Sequence, residues 1–367
     1  MMLTKIKDFL RKRPRLFNML RAGKIFLHEM VPALVQKDKY RINRALCLIS
    51  ARCGFGRSLG RPMLLNIEPT TVCDQKCTIC ETGLGILGRK PEYMSLGAFQ
   101  NILDQFDSNM REILLYFMGE TFLNKEAYKM IRYAADKGIY VSTCTNGNFV
   151  TPLELVQSGI AEINFHIAGT TQEIHEIYRV GGTLKAVLDA TREAVLLRNE
   201  MRDALKRNPY PMKISLGFIL FKHNEHQVPE VEGLAKDLGV DSFHIIDPCV
   251  RNVEQAHDLL PTDRDHWVYD PQAYERGELR MRRPPQNECE WLYSAMTIQV
   301  NGNVVPCCRD PKGLDVLGNA LQENVNDIWN NPKFKRLRKQ VATIQGSLQL
   351  CSLCEGYVMP VERKHLP

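Results

Sequence analysis

The sequence predicts an α/β fold carried on a parallel sheet, with a basic helical extension before it and a small second unit after it. Three observations predict this. From Leu64 onward, short β-branched or apolar runs alternate with segments of helical period, which is the rhythm of βα units. Residues 1–62 carry 15 Lys and Arg against 3 Asp and Glu, a balance of +12 in a chain whose total is +6. Beyond residue 286, a hairpin pattern and a helical pattern follow a stretch without periodicity.

The elements follow in order. In Met1 to Val31, apolar Leu3, Ile6, Phe9, Leu10, Phe17, Leu20, Ile25, Phe26, Leu27 and Met30 are interleaved with Lys and Arg, giving two amphipathic stretches broken at Pro14. Such a segment either lies on anionic lipid or caps the fold with its basic side solvated. Strands are expected near 64–68, 112–118, 139–144, 161–167, 212–220 and 242–247, with helices near 95–107, 125–137, 152–158, 183–206 and 227–238. Residues 250–286, rich in Pro, Arg, Asp and Tyr, read as a linker or covering segment. A hairpin at 297–305 with Asn301-Gly302 as a type I′ turn, and a helix near 323–342, complete the pattern. The expected division is 1–62 extension, 63–250 sheet domain, 251–285 linker and 286–367 C-terminal subdomain.

The 367 residues are 44% hydrophobic and 25% charged, an ordinary globular composition. No apolar run approaches the ~18–20 residues of a membrane-spanning helix. Twelve Cys without a secretory signal pattern argue for a reducing compartment, in which clustered thiols serve as metal or cluster ligands. A cytoplasmic protein is expected, peripheral on the inner membrane face if the basic extension lies on lipid rather than capping the fold. Nucleic acid is not an expected partner, because no base-stacking or helix-turn-helix pattern accompanies the charge.

Cys73, Cys77 and Cys80 supply three thiolates in one short loop after the first strand. Four Cys normally hold an Fe–S cluster, so three suggest a [4Fe–4S] cube with one iron open to a ligand. A structural zinc knot is the competing reading, although zinc sites usually present two separated pairs. The C-x3-C-x2-C loop resembles the signature of the radical S-adenosylmethionine (radical SAM) enzymes. That resemblance implies a partial (β/α)6 TIM-like barrel with chemistry at the strand C-terminal ends. It also implies that S-adenosylmethionine binds the open iron and is cleaved reductively to a 5′-deoxyadenosyl radical, with flavodoxin or ferredoxin as electron donor. Ile79 would lie against the adenine, and Asp74 stands where the family often has Asn. Gly119 and Glu120, in Tyr116-Phe-Met-Gly-Glu-Thr121, resemble the segment that binds the cofactor's ammonium. Thr143 and Asn146 would lie near its ribose, His166 and Arg179 near its carboxylate, and Gly217 against its adenine.

Cys289, Cys307, Cys351 and Cys354 resemble the auxiliary-cluster region called SPASM, in its shorter twitch form. With no Cys after Cys354, one auxiliary [4Fe–4S] cluster is implied, closed by four thiolates; zinc is the alternative occupant. Cys308 competes with Cys307 as a ligand. Cys249, at the end of the sixth strand, is a candidate hydrogen donor, with His244, Asp247 and Arg251 on the same rim. Cys47, Cys53 and Cys144 read as structural, and His223 and His226 as solvated.

The expected activity is hydrogen abstraction from a C–H bond of a small polyol, sugar or lipid-linked substrate, with the auxiliary cluster accepting an electron. Epimerisation through Cys249 and peptide maturation are the enzymatic alternatives. A non-catalytic Fe–S or zinc protein that meets a membrane partner through residues 1–31 is the alternative from another class.

Overall fold

The computed structural model describes residues 14–206 and 208–359, with side chains from residue 18 onward. Much of the amphipathic pattern expected in Met1 to Val31 therefore lies outside the described residues. Within them, Pro14–Ile25 and Val31–Gln36 are α-helices joined by a π-helical turn at Phe26–Met30. The widened turn falls where Pro32 approaches: Pro32 has no N–H for the His28 carbonyl and its ring crowds that group. Lys37 then turns left-handed, and Asp38 caps the helix Lys39–Arg52 by accepting from Arg41 N.

Among the described residues, nine strands form one sheet in the order β6-β5-β4-β3-β2-β1-β7-β8-β9. Strands β1 (Leu64–Ile67), β2 (Glu112–Leu114), β3 (Tyr140–Thr145), β4 (Glu162–Ile167), β5 (Lys213–Ile219) and β6 (Ser242–Ile246) are parallel and adjacent in chain order. Strand β7 (Ala295–Ile298) pairs in parallel with β1 on its other side, and β8 (Asn303–Val305) and β9 (Gly318–Asn319) continue antiparallel. The C-terminal segment thus extends the same sheet.

Strand residues alternate between faces, and the register makes the two faces chemically different. Leu65, Ile113 and Val141 form one row. Thr143, Ile163 and Ile214 form the next row on that face. Most of its side chains are buried apolar groups in one core with Phe99, Ile131, Leu155 and Val187 of the covering helices. The opposite face carries Asn66, Ser142, Cys144, Asn164, His166, Ser215 and His244. One side of the sheet drives folding and the other is left for chemistry.

Helix ends follow local signals. Ser95 caps Leu96–Leu103 by accepting from Ala98 N at 3.1 Å, and Gly239 ends Val228–Leu238 in the left-handed region. Three expectations change. Strand β2 stops at Leu114 rather than 118, because beyond Leu115 its backbone turns to side chains: Asn66 Nδ2 donates to the Tyr116 carbonyl and Met118 N donates to Glu68. The hairpin turn is not type I′, since Asn301 is absent from the left-handed residues and only Gly302 has positive φ, at 85°. Gln299 N bonds Asn303 O, leaving a three-residue loop with glycine in its left-handed position. Residues 251–285, expected as a linker or covering segment, pack on themselves. They contain helices Val253–Leu259 and Pro271–Glu275 around a small core of Val250, Ala256, Leu260, Trp267, Tyr269 and Met281.

Candidate active site

The cysteine loop leaves the C-terminal end of β1 and is fastened on both flanks. Thr71 Oγ1 donates to the Lys90 carbonyl at 2.8 Å and Thr70 Oγ1 to the Glu92 carbonyl at 2.7 Å. Lys76 N and Thr78 N donate to the carbonyls of Val180 and Tyr178, which places Arg179 against the loop. Gly83 is required for the close return of the chain, because a Cβ there would lie 2.5 Å from Cys77 N.

Beneath this loop, Glu68 is fully buried and gathers four donors. Arg89 meets it bidentately at 2.5 and 2.6 Å, and the N–H groups of Met118 and Val300 donate at 3.2 and 3.0 Å. One carboxylate therefore ties the end of β1 to the loop after β2 and to the chain leaving β7. Sequence reasoning missed this hub, whose partners are far apart along the chain.

Gly119 has φ of 77°, and a Cβ there would stand 2.5 Å from the Thr70 carbonyl. The loop after β2 can pass this close to the cysteine loop only as glycine. Glu120 turns inward: its carboxylate accepts from Thr145 Oγ1 at 2.7 Å, Asn146 N at 2.9 Å and Phe122 N at 3.3 Å. Burial raises its pKa while these donors oppose the rise. Thr143 is also committed, donating to the Leu115 carbonyl at 2.8 Å. Asn146 Nδ2 and Asn148 Nδ2 each donate to Asp74 at 2.7 Å, so the acidic residue beside Cys73 clamps the turn after β3.

Cys73 and Cys77 are protonated in the metal-free chain. Burial first, then Asp74, Glu120 and Cys77, push Cys73 up to about 12. Burial also raises Cys77, against the guanidinium of Arg179. Thiolates must form to bind iron, so cluster binding releases protons here. Among the described residues, no group of three or more His, Cys, Asp or Glu converges as a site for a single metal ion. The site does contain orphaned donors suited to an anion. Arg179 Nη1 donates to Gln75 Oε1 at 3.1 Å, while Arg179 Nε and Gln75 Nε2 are buried without partners beside Cys77. A carboxylate entering there would satisfy both, a good fit to an amino-acid cofactor held next to three thiolates.

Along the polar face, His166, Gly217 and His244 share one row across β4, β5 and β6. A Cβ at Gly217 would lie 2.7 Å from His166 Cδ2, so glycine lets the imidazole lie flat on the strand. Burial, with Arg179 and His244, lowers His166 to about 3 and keeps it neutral. Asn164 Nδ2 and His244 Nε2 are 2.6 Å apart. Cys144, expected to be structural, lies in the Asn164 row on this same face, with its pKa pushed up to about 12 by burial. Ile79 is half-buried in the cysteine loop. His223 is not solvated as expected: it stacks on Phe221 at 5.6 Å. His226 is exposed.

At the rim, Asp247 meets His266 at 2.9 Å and Arg251 pairs with Glu81 at 2.9 Å, next to Cys80. Cys249 is exposed. The second group of thiols assembles from distant segments: Cys307 is raised well above its ordinary value by burial and by Cys308, Cys289 and Cys351, and Cys289 also feels Cys354. The backbone of Tyr357, Leu292 and Trp291 opposes the rise at Cys289 through hydrogen bonds to its sulfur. The four expected ligands, each half-buried, are thus within electrostatic reach of one another, with Cys308 and Arg309 adjacent.

The Radical SAM superfamily model matches residues 67–198, and the SPASM iron-sulfur cluster-binding domain matches residues 289–355. The chain belongs to the radical SAM superfamily, in its SPASM-bearing subgroup. It is an enzyme, and its family binds a [4Fe–4S] cluster, S-adenosylmethionine and auxiliary Fe–S. Similar proteins include the PqqA peptide cyclase of Bradyrhizobium diazoefficiens, 21% identical over 77% of this chain and 76% of that protein. The mycofactocin maturase MftC of Mycobacterium ulcerans is 24% identical over 83% and 85%. In fold, this radical SAM chain is similar to Streptococcus suis SuiB bound to S-adenosylmethionine, with TM-score 0.59 and 14% identity over 90% and 83% of the two chains. It is also similar to anSMEcpe with bound AdoMet and Cp18Cys peptide, with TM-score 0.53 and 16% identity over 81% and 89%.

Proposed function

We propose that this radical SAM enzyme modifies a peptide, removing hydrogen from one of its C–H bonds. The observation that carries the proposal is that a relative matching three quarters of the chain is named as a PqqA peptide cyclase, and another matching more of it as a mycofactocin maturase. This replaces the polyol, sugar or lipid-linked substrate expected from the sequence, for which the relatives give no support.

Cys73, Cys77 and Cys80 would hold the first cluster, which together with S-adenosylmethionine supplies the 5′-deoxyadenosyl radical. Arg179 and Gln75 offer their unpaired donors to the cofactor carboxylate, and Gly119 offers close backbone approach for its ammonium. Glu120, Thr143 and Asn146 act one step back, because their polar groups hold the loops after β2 and β3 together. Ile79 and Gly217 supply apolar and flat surface for the adenine. His166, neutral by burial, orients groups by hydrogen bonding rather than by charge.

Cys289, Cys307, Cys351 and Cys354 would hold one auxiliary cluster as an electron acceptor. Loss of a hydrogen atom, then a proton and an electron, leaves the peptide two hydrogens lighter and joined or unsaturated. His244, on the polar face of β6, or Asp247, on the rim beside His266, would take the proton. A second reading has its own support: Cys249 is exposed at the end of β6, where its thiol would return hydrogen and epimerise the carbon. A flavodoxin or ferredoxin would supply the first electron. The proposal keeps the protein in the cytoplasm with residues 1–31 touching a membrane peripherally; among the described residues no helix is long and apolar enough to cross one.

The test is anaerobic incubation of the reconstituted protein with S-adenosylmethionine, dithionite and a synthetic peptide library. The reading expects 5′-deoxyadenosine, absent in Cys77→Ala, and a peptide lighter by two hydrogens. A peptide of unchanged mass but altered stereochemistry, dependent on Cys249, would support the second reading. No 5′-deoxyadenosine from wild type would leave a non-catalytic Fe–S or zinc protein.

A further inference from the structure

The N-terminal helices invert the usual burial order. From Met19 to Val35, the described residues turned inward include the small Ala22 and Ala33, with Met30, whereas the large apolar ones point out. Val35 is 79% exposed, Met19 67% and Leu27 64%, and Leu20, Phe26 and Leu34 are also exposed. Single exposed apolar side chains are ordinary, but a contiguous set on one segment marks a surface that another phase or molecule covers. The segment is also well anchored. Arg21 reaches Glu288 at 2.6 Å, and Glu29 pairs with Arg44.

The charge around this ridge is one-sided. Lys24, His28 and Lys37 are exposed on it. Both described acids are occupied internally, Glu29 by Arg44 and Asp38 by its cap to Arg41. With Glu29 and Asp38 held by arginines, the charge offered outward by Lys24 and Lys37 is positive, and a second copy of the same face would bring no acid to meet those lysines. An anionic bilayer matches both properties, offering apolar depth and negative charge at one boundary.

We infer that Met19 to Val35 is a docking face for an anionic lipid surface, on which the enzyme lies with Phe26, Leu27, Leu34 and Val35 inserted. This deepens the peripheral-contact part of the proposed function, and it moves the contact beyond residue 31. The π-helical turn before Pro32 lies in the middle of the face, so both flanking helices contribute to it.

The test is flotation of the full-length, cluster-loaded protein with vesicles of phosphatidylcholine alone or with phosphatidylglycerol. Wild type should float with the anionic vesicles, at least about tenfold less with neutral ones, and less in high salt. Leu27→Glu with Val35→Glu should lower anionic binding by about tenfold or more. Both positions are exposed, and unchanged circular dichroism and iron content will show that the variant is folded. Absence of wild-type flotation, or equal flotation by the variant, overturns the inference. So does a dimer in light scattering that the double variant abolishes without any vesicle binding, which assigns the face to a second copy. Formation of 5′-deoxyadenosine without vesicles is read in parallel: its loss alone refutes the catalytic reading, and loss of flotation alone refutes the docking face.

Discussion

Replacing Glu68 by Ala should destabilise the protein more than almost any other single change near the site. The carboxylate is fully buried, and the side chain of Arg89 that faces it is only 10% exposed. Removing one partner of a buried ion pair leaves an uncompensated charge and costs about 3–5 kcal/mol. The N–H groups of Met118 and Val300 also lose their acceptor, at about 1–3 kcal/mol each if no water replaces it. These terms share one residue and do not add fully, so a loss of about 4–6 kcal/mol is expected against a total of roughly 5–15 kcal/mol. An exposed pair gives the contrast: Asp189→Ala, which breaks the contact with Lys185, should change stability by less than about 1 kcal/mol. Anaerobic urea titration followed by tryptophan fluorescence reads both. A Glu68→Ala loss no larger than that of Asp189→Ala would refute the hub.

Three further outcomes are expected. Gly119→Ala should weaken S-adenosylmethionine binding by about tenfold or more, because the new Cβ meets the Thr70 carbonyl at 2.5 Å in a left-handed backbone; equilibrium binding that matches wild type would contradict the close approach. Burial lowers His166 to about 3 and His175 to about 4, so the unfolded chain takes up more protons below pH 6.5. The stability these neutral rings contribute is present above pH 6.5 and is lost as pH falls from there through about 4 to about 3. In urea titrations of the metal-free chain between pH 7 and 5, His175→Gln should show a shallower decline than wild type, and equal slopes would contradict it. Cys249→Ala should leave 5′-deoxyadenosine formation intact, and product in full yield would remove its hydrogen-donor role.

The features read well from the sequence are those written locally. The βα rhythm sets the order of the six parallel strands, and the spacing of Cys73, Cys77 and Cys80 places them in one loop at the end of the first. Features that depend on distant partners were hidden. Glu68 is separated from Val300 by 232 residues, and nothing near either marks the contact. The segment 251–285 reads from sequence only as a linker or covering segment, because Trp267, Tyr269 and Met281 form its core without helical or strand period. The turn at Asn301-Gly302 was misassigned because that dipeptide suits two loop lengths, and the Gln299–Asn303 pairing decides between them. Cys144 looked structural because strand phase, which puts it on the polar face, is fixed only by its register with Asn164.

The two groups of thiols are proposed to hold one cluster at the β1 loop and a second in the C-terminal region. Anaerobic iron and sulfide analysis with EPR, on wild type and on the variant with Cys73, Cys77 and Cys80 changed to Ala, tests this most directly. About eight irons per chain falling to about four is the expected result, each site holding one [4Fe–4S] cluster. About four irons falling to none, with one zinc retained, would contradict it and make the C-terminal site a structural metal centre.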